Sequence, residues 1–269
     1  MRATVMYGPG DVRVENRPEP TIKQLTDAIV RVVRACICGS DLHPYHSMTP
    51  DSAGQTMGHE FIGVVEEVGS EVQKVTKGDF VISPFAWADN TCPICRDGFQ
   101  TACPHGGFFS AAQAEYVRVP QADGTLVVTE ATDDEATLKS LLTLSDVYLT
   151  GYHAAFMAKV QPGQTVTVVG DGAVGLSAVL AAKTMGAERI ILMGRHTDRT
   201  DLGRRFGATD VVAERGKTGI AQVRELTGGE GSHVVLEAVG HRPAYDQSVA
   251  VVRAGGVISR VGVPQYDEA

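Results

Sequence analysis

The run Gly170-Asp171-Gly172-Ala173-Val174-Gly175 constrains this chain more than any other stretch. It follows the β-branched segment Thr165–Val169 and opens an Ala- and Leu-rich helical segment, 174–185. A G-x-G-x-x-G spacing at a strand-to-helix junction uses each glycine differently. The first permits a tight turn, the second lets backbone approach a pyrophosphate, and the third lets helix and strand pack closely. The helix N-terminus then offers unpaired N–H groups and a positive dipole end to phosphates, with Ala173 and Val174 in its first turn. Alternation continues beyond the loop. Arg189–Met193, Asp210–Val212, 233–236 and 256–259 are strand-like, and 201–206 is helical. This order predicts an α/β fold with a doubly wound parallel sheet covered by helices.

The first half has a different texture. Ala28–Ala35, Phe61–Val68 and 79–82 are strand-like, and Gly69, Gly78 and Pro84 fall where turns belong. A compact, partly barrel-like β domain is expected. Residues 133–150 then read as one helix, with Leu138, Leu141, Leu142 and Leu144 at helical spacing. The expected division is 1–147 and 148–269, which suits a chain of 269 residues.

Composition narrows the partners. With 43% hydrophobic and 21% charged residues the chain is an ordinary soluble one. A formal net charge of -8 and no basic cluster exclude nucleic acid as the expected partner. No apolar run approaches the ~20 residues that span a bilayer, and the start MRATVMYGPG lacks a signal-peptide core. The expected compartment is the cytoplasm.

Five cysteines, Cys36, Cys38, Cys92, Cys95 and Cys103, form an odd set in a long chain, which argues against a disulfide framework and toward metal ligation. Cys36 taken alone reads as a small buried hydrophobe. Two groupings remain. One is Cys38-Gly39-Ser40-Asp41-Leu42-His43 followed by Gly58-His59-Glu60. A catalytic zinc takes three protein ligands and keeps one open position. Cys38 and His59 can supply two, and Asp146 or Glu60 a carboxylate. The other is Cys92-x-x-Cys95, then Cys103 after seven intervening residues, in a Pro- and Gly-rich loop. That pattern suits a structural zinc, with Asp89, three residues before Cys92, as the fourth ligand.

Taken in order, these motifs resemble the zinc-containing alcohol dehydrogenases of the medium-chain dehydrogenase/reductase superfamily. The Thr150-Gly151-Tyr152-His153-Ala154 element and Val261-Gly262-Val263-Pro264 extend the resemblance over the whole chain. It implies a GroES-like catalytic domain joined to a Rossmann domain, with the active site between them. It implies that Cys38, His59 and Asp146 hold the catalytic Zn²⁺, Asp146 standing where the family usually has cysteine. Glu60 matches the carboxylate beside the zinc histidine, which approaches the metal or stays one step behind it. Ser40 matches the hydroxyl that hydrogen-bonds the substrate oxygen, His43 the outer end of the proton relay, and Thr150 and Val263 positions near the nicotinamide. An alcohol, aldehyde or ketone is the implied substrate.

Cofactor choice follows from the end of the second Rossmann strand. An NAD site carries an acidic residue there to accept from the ribose hydroxyls. Here Gly194 removes that carboxylate, Arg195 offers a planar multi-donor head to a 2′-phosphate, and Arg199 adds charge. NADP is therefore expected over NAD, and Gly194→Asp is expected to move the preference toward NAD. The family also runs several dozen residues beyond the Val-Gly-Val-Pro element, completing the sheet and the dimer edge. The chain is thus expected to be C-terminally truncated, its Rossmann domain incomplete, and its full-length form a homo-oligomer. Two other readings stand against the leading one. A zinc-free quinone or enone reductase would lack the Cys38, His59 and cysteine-lobe pattern. A non-catalytic NADP-binding protein would not need the Ser40–His43 relay.

Overall fold

A computed structural model describes residues 1–264. The backbone divides into a unit Met1–Asp146 and a second unit beginning at Val147.

The first unit is built from antiparallel pairs. Strands β1 (Arg2–Gly8), β2 (Asp11–Asn16) and β4 (Gln55–Thr56) form a sheet ordered β2-β1-β4. Strands β3 (Ala28–Ala35), β5 (Phe61–Val68), β6 (Phe80–Ser83), β9 (Tyr116–Val119) and β10 (Val127–Thr129) form the larger sheet, ordered β10-β6-β5-β3-β9. A two-stranded ribbon pairs β7 (Ala86–Trp87) with β8 (Gly107–Phe108). Helices α1 (Leu42–Ser47), α2 (Pro93–Arg96), α3 (Ala122–Thr125) and α4 (Glu135–Thr143) sit in the connections and after the last strand. The main core gathers Val30, Phe61, Val65, Val81, Phe109 and Val117. A satellite core holds Ile62, Phe80 and Ile82 against Leu138 of α4. Side chains alternate across a strand, so Phe61 and Ile62 serve these two cores on opposite faces of β5.

The helix expected over 133–150 is two. Asp134 caps α4 by accepting the Thr137 N–H at 2.7 Å. The helix stops at Thr143, where the Ser145 hydroxyl donates to the Leu142 carbonyl at 2.7 Å. A second helix, α5 (Val147–Met157), follows. Both halves keep helical spacing, so periodicity alone reads through the break. The break leaves Asp146 buried in the first unit, outside either helix.

In the second unit, β11 (Thr165–Val169), β12 (Arg189–Met193), β13 (Asp210–Val212), β14 (Ser232–Glu237) and β15 (Val252–Arg260) are wholly parallel, ordered β13-β12-β11-β14-β15. The crossovers run through α6 (Ala173–Thr184), α7 (Thr197–Phe206), α8 (Gly216–Leu226) and α9 (Arg242–Val251). Strand order reverses at β11, and the carboxyl ends of strands at such a switch point form the ligand crevice of a doubly wound sheet. Period two divides the core. Val166, Val168, Ile190, Leu192, Val234 and Leu236 face α5 and α6, while Val169, Ile191, Met193 and Val235 face α8 and α9. Each fully buried aliphatic side chain contributes about 1.5–3 kcal/mol. Helices α8 and α9 and strands β1, β2, β9 and β10 were not legible in the sequence reading, and α7 starts earlier than 201. Among the described residues no helix is long and apolar enough to cross a membrane.

Candidate metal centres and nucleotide loop

Four donors from separated segments meet in the first unit. Cys38 precedes the turn at Gly39–Asp41, His59 and Glu60 lead into β5, and Asp146 lies in the α4–α5 break. One ligand atom from each of Cys38, His59, Glu60 and Asp146 lies within 4.8 Å of every other. His59 Nε2 is 3.3 Å from Asp146 Oδ2, and the Cys38 thiol is 3.7 Å from the same oxygen. Glu60 is 1% exposed, and its Oε1 is buried without a hydrogen-bond partner. A carboxylate oxygen orphaned in this way is costly unless a cation or proton joins it. The field around it is anionic. Hydrogen bonds to Asp146 and Cys38 push the His59 pKa up to about 10, against the lowering effect of burial. Burial chiefly, with Asp146 nearby, raises that of Glu60. Sulfur, imidazole and carboxylate donors converging in such a field fit a zinc ion.

Two neighbours take roles that ligand spacing does not reveal. The Asp41 carboxylate accepts the Cys38 backbone N–H at 2.9 Å and lies 3.7 Å from His59 Nδ1. It braces two of the donors from behind. Cys36 is not the buried hydrophobe expected: it is only partly buried, and its thiol donates to Glu60 Oε2 at 3.0 Å. Local spacing could have suggested Asp41, since an Asp three residues after a turn-initiating residue often receives that residue's N–H. The Ser40 and His43 side chains, both partly buried, sit on the same turn and on the first turn of α1.

The second grouping also converges. One ligand atom from each of Asp89, Cys92, Cys95 and Cys103 lies within 4.8 Å of the others. The Cys92 and Cys103 sulfurs are 4.0 Å apart, far beyond a disulfide's ~2 Å. Two sulfurs each ~2.3 Å from a tetrahedral zinc would lie ~3.8 Å apart, so the spacing fits that ion. Burial pushes the Cys95 thiol up to about 12, an energetic cost that a bound dication would offset by favouring the thiolate. Asp89 is more heavily engaged than its spacing implied. Its Oδ1 accepts the N–H groups of Thr91 and Cys92 at 2.9 and 3.0 Å, and its Oδ2 meets His105 Nδ1 at 2.5 Å. His105 chiefly, with those two amides, holds the Asp89 carboxyl well below the usual carboxylate range. His105 follows Cys103 by two residues, outside the Cys-x-x-Cys spacing that points to Asp89.

In the second unit the glycine loop joins β11 to α6. Gly170 has φ +116°, a left-handed value that favours glycine. A Cβ on Gly175 would lie 2.0 Å from the Gly170 carbonyl, so helix and loop touch there as backbone. Gly172 caps α6 with no side-chain hydrogen bond, and a Cβ on it would meet nothing within 4 Å. An uncapped helix N-terminus opening on free space fits a phosphate-bearing cofactor. At the end of β12, Gly194 faces Asp171: a Cβ at 194 would lie 2.4 Å from the Asp171 Cβ. The strand-end acid expected to be absent is thus replaced in space by a carboxylate from the glycine loop. Arg195 is exposed, whereas Arg199 lies 3.8 Å from Asp171 Oδ1. Thr150 is on α5 and Val263 follows β15, exposed.

Comparison with known proteins adds the following. Residues 24–130 match the alcohol dehydrogenase GroES-like domain, and residues 173–269 match the zinc-binding dehydrogenase family. A zinc-type alcohol dehydrogenase B of Aspergillus flavus is 37% identical over 275 residues, covering 98% of this chain. The chain spans 64% of that relative's length. An NADP-dependent isopropanol dehydrogenase of Clostridium beijerinckii is 34% identical over 243 residues, covering 87% of this chain and 68% of its own. Among solved structures, the alcohol dehydrogenase from Thermus sp. ATN1 superposes with a TM-score of 0.89 at 35% identity, covering 100% of this chain and 79% of the other.

Proposed function

The chain belongs to the zinc-binding alcohol dehydrogenase family of medium-chain dehydrogenases, with a GroES-like unit and a Rossmann unit, and from that premise we propose that it oxidises alcohols or reduces aldehydes and ketones with NADP(H). The observation that carries the reading is the convergence of one ligand atom each from Cys38, His59, Glu60 and Asp146 within 4.8 Å of one another, with one Glu60 oxygen buried and unpartnered. Bound there, zinc supplies Lewis acidity toward the substrate oxygen, while the nicotinamide exchanges the hydride.

The chain's own residues do the rest. Cys38, His59 and Asp146 are the proposed holders of the metal, and Glu60 stands within reach of the same position. The Ser40 hydroxyl would take the proton of the substrate alcohol as it releases its own, which would pass by way of the cofactor ribose to His43 at the outer end of the relay. Gly170, Gly172, Ala173, Val174 and Gly175 receive the pyrophosphate on backbone amides. Thr150 and Val263 flank the nicotinamide. Arg195 and Arg199 favour a 2′-phosphate, a choice supported by an NADP-dependent relative of 34% identity. Asp89, Cys92, Cys95 and Cys103 hold a second, structural zinc.

Metal analysis combined with an alcohol-dependent rise in NADPH absorbance across a panel of primary and secondary alcohols tests this. Turnover that needs zinc and uses NADP is the expected result. Turnover of a quinone or enone that survives zinc removal would replace it with the zinc-free reductase, and NADP binding without any turnover would replace it with a non-catalytic role.

A further inference from the structure

Asp171 occupies the second position of the glycine loop, yet its side chain is turned to the end of β12. It is 7% exposed. The carboxylate accepts the His196 backbone N–H at 2.9 Å, meets the His196 ring Nδ1 at 2.9 Å, and faces the Arg199 guanidinium at 3.8 Å. Burial alone would raise its pKa, but the His196 backbone N–H and ring, joined by the Arg195 backbone, outweigh burial and hold the carboxyl below its ordinary value. Room for it exists only because residue 194 is glycine, since a Cβ there would overlap Asp171. Gly194 and Asp171 therefore form one steric pair, and the glycine is explained by its neighbour as much as by any ligand.

We propose that Asp171 is a positioning residue for cofactor choice, holding His196 and Arg199 as a pre-set pair that receives the adenosine 2′-phosphate of NADP. The inference rests on the NADP reading above. Three donors already surround the Asp171 charge, so it presents little repulsion to an incoming anion. Pairing with His196 fixes the ring with Nδ1 toward Asp171 and Nε2 on its far side. An arginine held in one place loses less side-chain entropy on binding than one free in solvent. Arg195 engages Asp171 through its backbone while its side chain is exposed, so it is the weaker contributor, which reverses the order of importance read from the sequence.

Calorimetric titration of the full chain with adenosine 2′,5′-bisphosphate and with AMP, which lacks only the 2′-phosphate, tests this without turnover. The wild-type protein should bind the bisphosphate at least about tenfold more tightly. Asp171→Asn, which keeps the shape and removes the charge, should weaken bisphosphate binding about tenfold and leave AMP within about twofold. In the double variant His196→Ala/Arg199→Ala, adding Asp171→Asn should change bisphosphate binding no further, because Asp171 acts through those two residues. Tighter bisphosphate binding by Asp171→Asn would overturn the proposal, as would equal weakening of both ligands or an undiminished effect in the double-variant background. Equal affinity of the wild-type protein for both ligands would instead overturn the NADP reading on which it stands.

Discussion

Asp41 contributes no donor to the first metal cluster, yet it touches two residues that do. Its oxygens take the Cys38 backbone N–H and face the His59 ring, so they set where the sulfur sits and how the imidazole is turned. Residues in this supporting role cost about 10–100-fold in metal affinity when replaced. Asp41→Ala should lower zinc affinity at one of two sites by that factor, read by competition with a chromogenic chelator. Unchanged affinity at both sites would remove Asp41 from the account. The same scale corrects one expectation about cofactor choice. Gly194→Asp alone places a side chain onto Asp171 and should weaken AMP and bisphosphate binding together. A swap of preference toward NAD should need Asp171→Gly/Gly194→Asp, in which the acid returns to the strand end. NAD preference in Gly194→Asp alone would contradict the steric argument.

At the scale of elements, the cysteine lobe and the α5–α6 contact hold together by different means. The lobe's buried cluster is Ala88 with Cys92, Cys95 and Cys103, too little apolar surface to order a loop without cross-linking. Cys95→Ala should therefore lose one zinc per chain by native mass spectrometry and lower the thermal midpoint. Cys38→Ala should lose the other zinc and turnover while largely keeping the midpoint. Matching losses of stability and activity in both variants would defeat that division. Helices α5 and α6 depend instead on small residues. A Cβ on Gly151 would stand 2.6 Å from the Ala178 amide nitrogen, with Ala154, Ala155, Ala181 and Ala182 filling the same layer. Gly151→Ala should cost about 1–3 kcal/mol by overpacking, measured by urea unfolding, although it raises helix propensity. A stabilising effect would mean that the layer relaxes freely.

Across the whole molecule, each unit carries its own core and its own ligand chemistry. The metal donors all lie in Met1–Asp146, and the glycine loop lies in the second unit. Perturbations with no shared contacts usually add to within ~0.3–0.5 kcal/mol. Stripping zinc with a chelator should therefore leave ADP-ribose affinity within about twofold while lowering the stability of the first unit. A tenfold change in ADP-ribose affinity on chelation would show that the units are coupled.

Sequence alone determined the parallel sheet of the second unit and the position of its glycine loop. Strands buried on both faces read as unbroken apolar runs, and loop glycines answer to local sterics that neighbours in the chain dictate. It also singled out Cys92, Cys95 and Cys103, because ligands close along the chain declare themselves by spacing. What it could not decide was anything requiring distant residues to meet. On spacing alone Asp146 and Glu60 stand as alternatives, 86 positions apart, and only the fold brings both to Cys38 and His59. The α4–α5 break that frees Asp146 from a helix is invisible to a leucine period that runs on through it. Asp171 and Gly194 are 23 positions apart on two parallel strands' ends, and a single Cβ distance decides that they cannot both carry large side chains. Local sterics and periodicity travel along the chain, whereas excluded volume and converging charge exist only once the chain has folded.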